Sequence, residues 1–143
     1  MNIKLISKTT GVALPITTPI VFKDSGGVFV NPEIIEADED GTVIFKSRDE
    51  WNDNEMFGHA VTLATITLDE AIKLAKHYLN YSVYINNKFF GKSRGSLCAG
   101  FVKKRGHRTW LLPVTDEDAK AIIAGTKKIV YYTYNRGAKV IAA

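Results

Sequence analysis

The stretch Thr67-Leu-Asp-Glu-Ala-Ile-Lys-Leu-Ala-Lys-His-Tyr-Leu-Asn-Tyr-Ser-Val-Tyr-Ile-Asn-Asn-Lys-Phe-Phe-Gly91 decides the fold class, because a helix and a hairpin follow one another inside it. Thr67-Leu-Asp-Glu70 matches a capping box, in which the Thr67 hydroxyl and the Glu70 carboxylate satisfy orphan backbone N–H groups reciprocally. Leu68, Ala71, Ile72, Ala75, Tyr78 and Leu79 then recur at helical spacing on one face. Asp69, Lys73 and His77 line the opposite face as i, i+4 neighbours. This predicts a helix ending near Asn80. Ser82 to Gly91 reads as a hairpin turning at Asn86-Asn87, since asparagine tolerates the left-handed conformation.

Working outward, a second hairpin is expected from Leu97 to Pro113, with Lys103-Lys-Arg-Gly-His-Arg108 at its tip. A shorter helix starts at Thr115, where Asp116, Glu117 and Asp118 face the partial positive charge of its N-terminus, and Gly125 stops it. Ile129 to Tyr134, a turn at Asn135-Arg-Gly137 and Lys139 to Ala142 close the chain. Upstream, Ile3 to Ser7, Ile16 to Phe22, Val28 to Val30, Glu33 to Ala37 and Thr42 to Ser47 read as strands, with Asp40-Gly41 as a hairpin turn. Arg48 to Gly58 reads as an ordered loop and Ala60 to Ile66 as a strand.

The expected class is α+β, a mostly antiparallel sheet with two helices and a β-rich N-terminal part. From residue 60 to 135 the order of strand, helix, hairpins, helix and strand resembles a ferredoxin-like βαββαβ arrangement with extra strands. No repeat, low-complexity tract or linker divides the chain. Residues 1–143 are therefore expected to form a single domain, with an acidic β-rich part at 1–58 and a basic α+β part at 59–143.

A chain of 143 residues, 45% hydrophobic and 24% charged, is long enough to bury a core without disulfides or a structural metal. Cys98 is the only cysteine, which excludes an internal disulfide and a cysteine-based zinc site and suits a reducing, cytoplasmic location. The longest apolar run, Val12 to Phe22, contains Pro15 and Pro19 and is too short and broken to span a bilayer, so no membrane association is expected. No secretory signal is legible at the start.

The net charge of +4 conceals a division. Residues 1–72 hold 5 basic and 12 acidic side chains, while residues 73–143 hold 14 basic and 3 acidic ones. From Lys73 to Arg108 there are nine basic residues and no carboxylate, so neutralisation there must come from the acidic half or from a partner.

Several motifs fail on inspection. Gly91-Lys92-Ser93 matches the end of a phosphate-binding P-loop, but Asn86 stands where the first glycine belongs. Glu36, Asp38, Asp40 and Gly41 have the offsets of early calcium-loop ligands, but Ser47 replaces the bidentate glutamate and strands flank the loop. There is no G-x-S-x-G, no G-x-G-x-x-G and no local histidine metal pair, so no cofactor and no metal are expected. His107-Arg-Thr109 resembles the H-x-T motif of two-histidine phosphodiesterases, which implies an acid–base pair with His59. In His59-Ala-Val-Thr62 the threonine comes one place late and falls on the opposite strand face. Cys98 lies in an apolar run and reads as a small buried side chain.

The strongest functional feature is a pair of basic hairpins with aromatics interleaved. Lys92, Arg94, Lys103, Lys104, Arg105, His107 and Arg108 are expected to contact phosphates, with Trp110 as a stacking platform. The expected partner is nucleic acid or another polyanion, engaged by binding rather than catalysis. The alternative is a protein-interaction module, an inhibitor, adaptor or self-assembling subunit, docking through Trp51, Met56 and Phe57 in the acidic segment Asp49 to Phe57.

Overall fold

A computed structural model of the chain describes residues 1–23, 28–30, 33–40, 42–46, 55–77, 81–93, 95–102, 109–132 and 137–143. The elements are β1 Ile3–Ser7, β2 Pro19–Lys23, β3 Val28–Val30, β4 Glu33–Ala37, β5 Thr42–Lys46, β6 Glu55–Thr62, α1 Leu68–His77, β7 Tyr81–Ile85, β8 Lys88–Ser93, β9 Ser96–Val102, β10 Thr109–Pro113, α2 Asp116–Ala124, β11 Lys127–Tyr132 and β12 Gly137–Ala142. They form two compact units, one of Met1–Ala13 with Leu68–Ala143 and one of Leu14–Thr67.

In the larger unit a five-stranded antiparallel sheet has the order β1-β7-β8-β9-β10. Leu5 pairs with Val83, Val83 with Phe90 and Phe90 with Ala99, so these four share one face, and all are buried. Helix α1 packs against β7, β8 and β9, burying Ala71, Ile72, Leu74 and Ala75, while Asp69, Lys73 and His77 stay exposed on its other face. Each large side chain removed from water here contributes about 1.5–3 kcal/mol.

Helix α2 contributes Ala119, Ile122 and Ile123 to the buried set. Its ends are set by local chemistry. The Thr115 hydroxyl accepts from the Asp118 N–H at 3.1 Å, and Gly125 takes φ 85° so that the Thr126 and Gly125 N–H groups return to the Ala121 and Ile122 carbonyls. Two ion pairs join the helices, Asp69 to Lys120 at 2.9 Å and Lys76 to Asp116 at 2.8 Å. Their inverse sequence order means that α1 and α2 run antiparallel. β11 and β12 form a separate two-stranded hairpin.

The smaller unit is a five-stranded antiparallel sheet of order β3-β2-β6-β5-β4. Ile20, Val21, Phe22, Val43, Leu63 and Ile66 are buried in it, Val21 packing with Val43. Gly58 sits where β6 meets β2, and a Cβ there would collide with the Phe22 carbonyl oxygen.

The expected α+β class with two helices and mostly antiparallel sheets holds, but the ferredoxin-like arrangement is not confirmed. The strand preceding α1 pairs with β2 and β5 in the smaller unit, while β7 to β10 follow one another as a meander. The loop expected over Arg48 to Gly58 is corrected at its end, because Glu55 to Gly58 belong to β6 and pair with Lys46 to Val43 of β5. Correspondingly, residues 63–66 are not strand. A polar-aromatic sequence without alternation gives no local sign of a strand; pairing with β5 supplies it, and β2 joins only from Gly58 onward. The end of α1 beyond His77 and the turn at Asn135-Arg136 lie outside the described residues.

The division of charge follows the division of structure. Residues 14–67 carry 3 basic and 10 acidic side chains, while residues 1–13 and 68–143 together carry 16 basic and 5 acidic ones. The smaller unit therefore has a net charge of −7 and the larger of +11.

Candidate functional site

The basic hairpins expected from sequence belong to the larger unit, in the β8–β9 and β9–β10 connections. The β7–β8 turn that precedes them is tight, with Asn86 and Asn87 at φ 48° and 64°, the left-handed pair of a two-residue hairpin. Lys88, Phe90 and Lys92 alternate onto the helix-covered face of β8, and Phe90 is core, only 1% exposed. Phe90 is therefore not available to stack on a base. Phe89 points the other way and meets the Tyr84 ring edge-on, centroids 5.5 Å apart.

Lys88 and Lys92 have different surroundings. The Lys88 ammonium donates to the Ile122 carbonyl at 2.7 Å, near the C-terminal end of α2. Lys92 is exposed and, among the described residues, forms no ion pair with a carboxylate. It borders a cleft of about 360 Å³ lined also by Lys76, His77, Gly95, Ser96, Leu97, Val114 and Asp116. Three elements meet there: the last turn of α1, the turn between β8 and β9, and the start of α2.

Within the cleft, Lys76 holds Asp116 with its ammonium 2.8 Å from each carboxylate oxygen. On α1, Asp69 is held below the ordinary carboxylate range first by its hydrogen bond to Lys120 and then by the charge of that ammonium; Lys120 is raised by the same contact. Asp118 pairs with Lys127 at 2.7 Å. Asp116 and Asp118 thus engage cations besides lying in the first turn of α2, and Lys76 of the carboxylate-free run is neutralised from within the basic half, not from the acidic half or a partner as expected.

A second cleft, of about 210 Å³, lies among Lys88, Phe89, Ala99, Gly100, Ile122, Lys128 and Ile129 and is almost wholly apolar. Among the described residues no group of three or more His, Cys, Asp or Glu side chains is arranged to hold a metal ion.

The strand register separates the expected phosphate contacts into two groups. Ser93 pairs with Ser96 at one end of the meander, beside Lys92, and Val102 pairs with Thr109 at the other, where residues 103–108 connect them. Leu97, the partner of Lys92, and Val102 are five positions apart along β9, about 17 Å of strand. Arg94, Lys103, Lys104, Arg105, His107 and Arg108 themselves lie outside the described residues, and for Trp110 only the backbone pairing with Phe101 is described. Lys76, His77 and Ser96 were not among the expected contacts. Their only sequence signal is the carboxylate-free run that begins at Lys73, because packing of α1 on β8 brings them beside Lys92.

Of the residues expected for protein docking, Phe57 is 53% exposed on β6, Met56 pairs with Phe45 through its backbone, and Trp51 lies outside the described residues. His59 stacks on Phe22 in the smaller unit, ring centroids 5.2 Å apart, and His107 lies outside the described residues. Cys98 is buried, its thiol 3.6 Å from the Ser96 carbonyl.

Comparison of the chain with protein-family models, with curated proteins and with solved structures gives no match. Among the described residues no helix is long and apolar enough to cross a membrane.

Proposed function

We propose that the larger unit binds nucleic acid through its phosphate backbone. The observation that carries this reading is the run from Lys73 to Arg108, nine basic residues without a carboxylate, which falls wholly inside the compact unit of net charge +11. Such a surface neutralises phosphates and releases their counterions, which yields affinity with little dependence on base sequence. Lys92 at the end of β8, Arg94 in the β8–β9 connection and Lys103, Lys104, Arg105, His107 and Arg108 in the β9–β10 connection are the expected contacts, with Trp110 as a stacking platform; Lys88 is not one of them, its ammonium being engaged by α2.

Fluorescence anisotropy of labelled single-stranded and duplex oligonucleotides tests this between about 50 and 200 mM salt, where several phosphate contacts weaken binding by orders of magnitude. Replacing Lys103, Lys104 and Arg105 by alanine should lower the slope of log affinity against log salt by about 2–3. Absence of binding at the lowest salt, or an unchanged slope in the triple variant, overturns the reading or its placement respectively.

A second reading, docking to a protein through the acidic unit, is favoured by the exposure of Phe57 on β6. Light scattering at low and high salt addresses its self-assembling form. A salt-sensitive oligomer supports it, and a monomer throughout removes that form.

A further inference from the structure

We propose that the cleft between the last turn of α1 and the β8–β9 turn is a seat for one phosphate group, free or esterified; that the phosphate belongs to a nucleic acid rests on the reading above, and the seat itself does not. Three separate elements deliver cations or polar groups to one concavity: Lys76 and His77 from α1, Lys92 from the end of β8, and Gly95 and Ser96 from the turn that follows. Lys92 brings a compact ammonium with three donors, His77 a ring N–H and Ser96 a hydroxyl, a donor set suited to a small multi-oxygen anion.

Asp116 also lines the cleft, and a carboxylate repels an anion. Its charge is already matched, since the Lys76 ammonium lies 2.8 Å from both Oδ1 and Oδ2. Among the described residues this leaves the Lys92 ammonium without a carboxylate partner. A volume of about 360 Å³ is large enough for a phosphate with part of the group that bears it, and sits at the small end of ligand sites. The start of α2 is not what recommends the site, because its first turn is capped by Thr115 and occupied by acids.

The test is a titration of the intact chain with inorganic phosphate at low chloride, followed by the His77 ring and the Gly95 and Ser96 amide resonances. Saturable shifts at these three positions are expected. Lys92→Gln, an exposed change that leaves the core alone, should weaken them about tenfold, as removal of one charge-assisted contact does. Lys8→Gln, at an exposed lysine outside the cleft, should leave them within about twofold. Asp116→Asn should tighten binding, because it removes the carboxylate and releases Lys76. Equal weakening in Lys92→Gln and Lys8→Gln, or no saturable shift, overturns the seat.

Competition against a labelled oligonucleotide separates this inference from the broader one. If phosphate displaces the oligonucleotide from the wild type but not from Lys92→Gln, the seat holds a backbone phosphate. If the oligonucleotide binds and phosphate gives no saturable shift, the seat is overturned and the nucleic-acid reading stands. If phosphate binds and the oligonucleotide does not, the seat belongs to a small phosphorylated ligand and the nucleic-acid reading falls.

Discussion

The Lys88 ammonium lies 2.7 Å from the Ile122 carbonyl oxygen, so a lysine of β8 closes the C-terminal end of α2. Helix α2 has three acids in its first turn and no basic residue in its last, which leaves the negative end of its dipole without a cation of its own. Lys88 and Lys92 are four residues apart on one face of β8, about 13 Å of strand. The nine residues of α2 also span about 13 Å. The first lysine therefore reaches the C-terminal end of the helix, and the second borders the cleft at its start.

Lys88→Met should lower stability by about 1–2 kcal/mol, since it removes a charged hydrogen bond to a helix-end carbonyl. It should leave the salt slope of oligonucleotide binding unchanged. Lys92→Met should do the reverse, reducing affinity with little change in the urea midpoint. Urea denaturation and anisotropy on the same two variants check both statements, and a loss of binding in Lys88→Met with full stability would contradict them.

Asn86 ties three elements together. Its side-chain oxygen accepts from the Asn2 N–H at 2.9 Å and its amide donates to the Ile123 carbonyl at 3.4 Å, while its backbone sits at φ 48°. Asn86→Gly keeps the backbone conformation and loses the side-chain bonds, for an expected cost of about 1 kcal/mol. Asn86→Ala should cost about 1 kcal/mol more, because it must also hold a left-handed conformation. Equal effects in the two variants would show that the conformation carries no cost.

Gly58→Ala should disrupt the smaller unit. The new Cβ would fall on the Phe22 carbonyl oxygen and 3.1 Å from Val21 Cγ1, and the first of these is backbone that cannot turn aside. A loss of about 3 kcal/mol or more is expected. Amide exchange can localise it: faster exchange confined to residues 14–67 would indicate that the two units unfold separately, and a uniform increase that they unfold as the single domain expected from sequence.

The Asp69–Lys120 pair defines a pH window. The folded carboxyl is held below its ordinary value of 3.8, so its contribution is present above that value and lost as pH falls through the lowered one. The folded ammonium is held above 10.5, so its contribution is complete below that value and lost as pH rises through the raised one. The melting-temperature difference between wild type and Asp69→Asn should be flat between these limits and vanish in acid. Both groups are exposed, so about 0.5 M salt should largely remove it. A difference that persists in acid would point to a cause other than the ion pair.

Much of the local structure is legible in the residues. Asn86-Asn87 marks the hairpin because few other residues accept positive φ twice in succession, and Thr115 and Gly125 mark α2 because each satisfies backbone groups the helix leaves open. The start of β6 is not legible, since Glu55 to Gly58 neither alternate nor form an apolar run, and pairing with β5 provides the reason for their conformation. The candidate site divides in the same way. The basic run announces itself, but the pairing of Lys88 with a helix end and of Lys92 with an open cleft does not, because both depend on residues about 15 to 35 positions away.

The amino-acid sequence alone determined the α+β class, the faces of α1, the ends of α2, the Asn86-Asn87 turn and the opposite charges of the two parts. Each of these follows from near neighbours, through hydrogen-bond capping, side-chain periodicity or simple summation of charge. Tertiary structure alone decided that β6 joins the sheet of residues 14–67, that the two basic connections lie at opposite ends of the meander, and that Lys76, His77 and Lys92 share one cleft. Strand partnership and helix docking bring distant segments together, and the alternation of side chains that permits them is compatible with more than one partner.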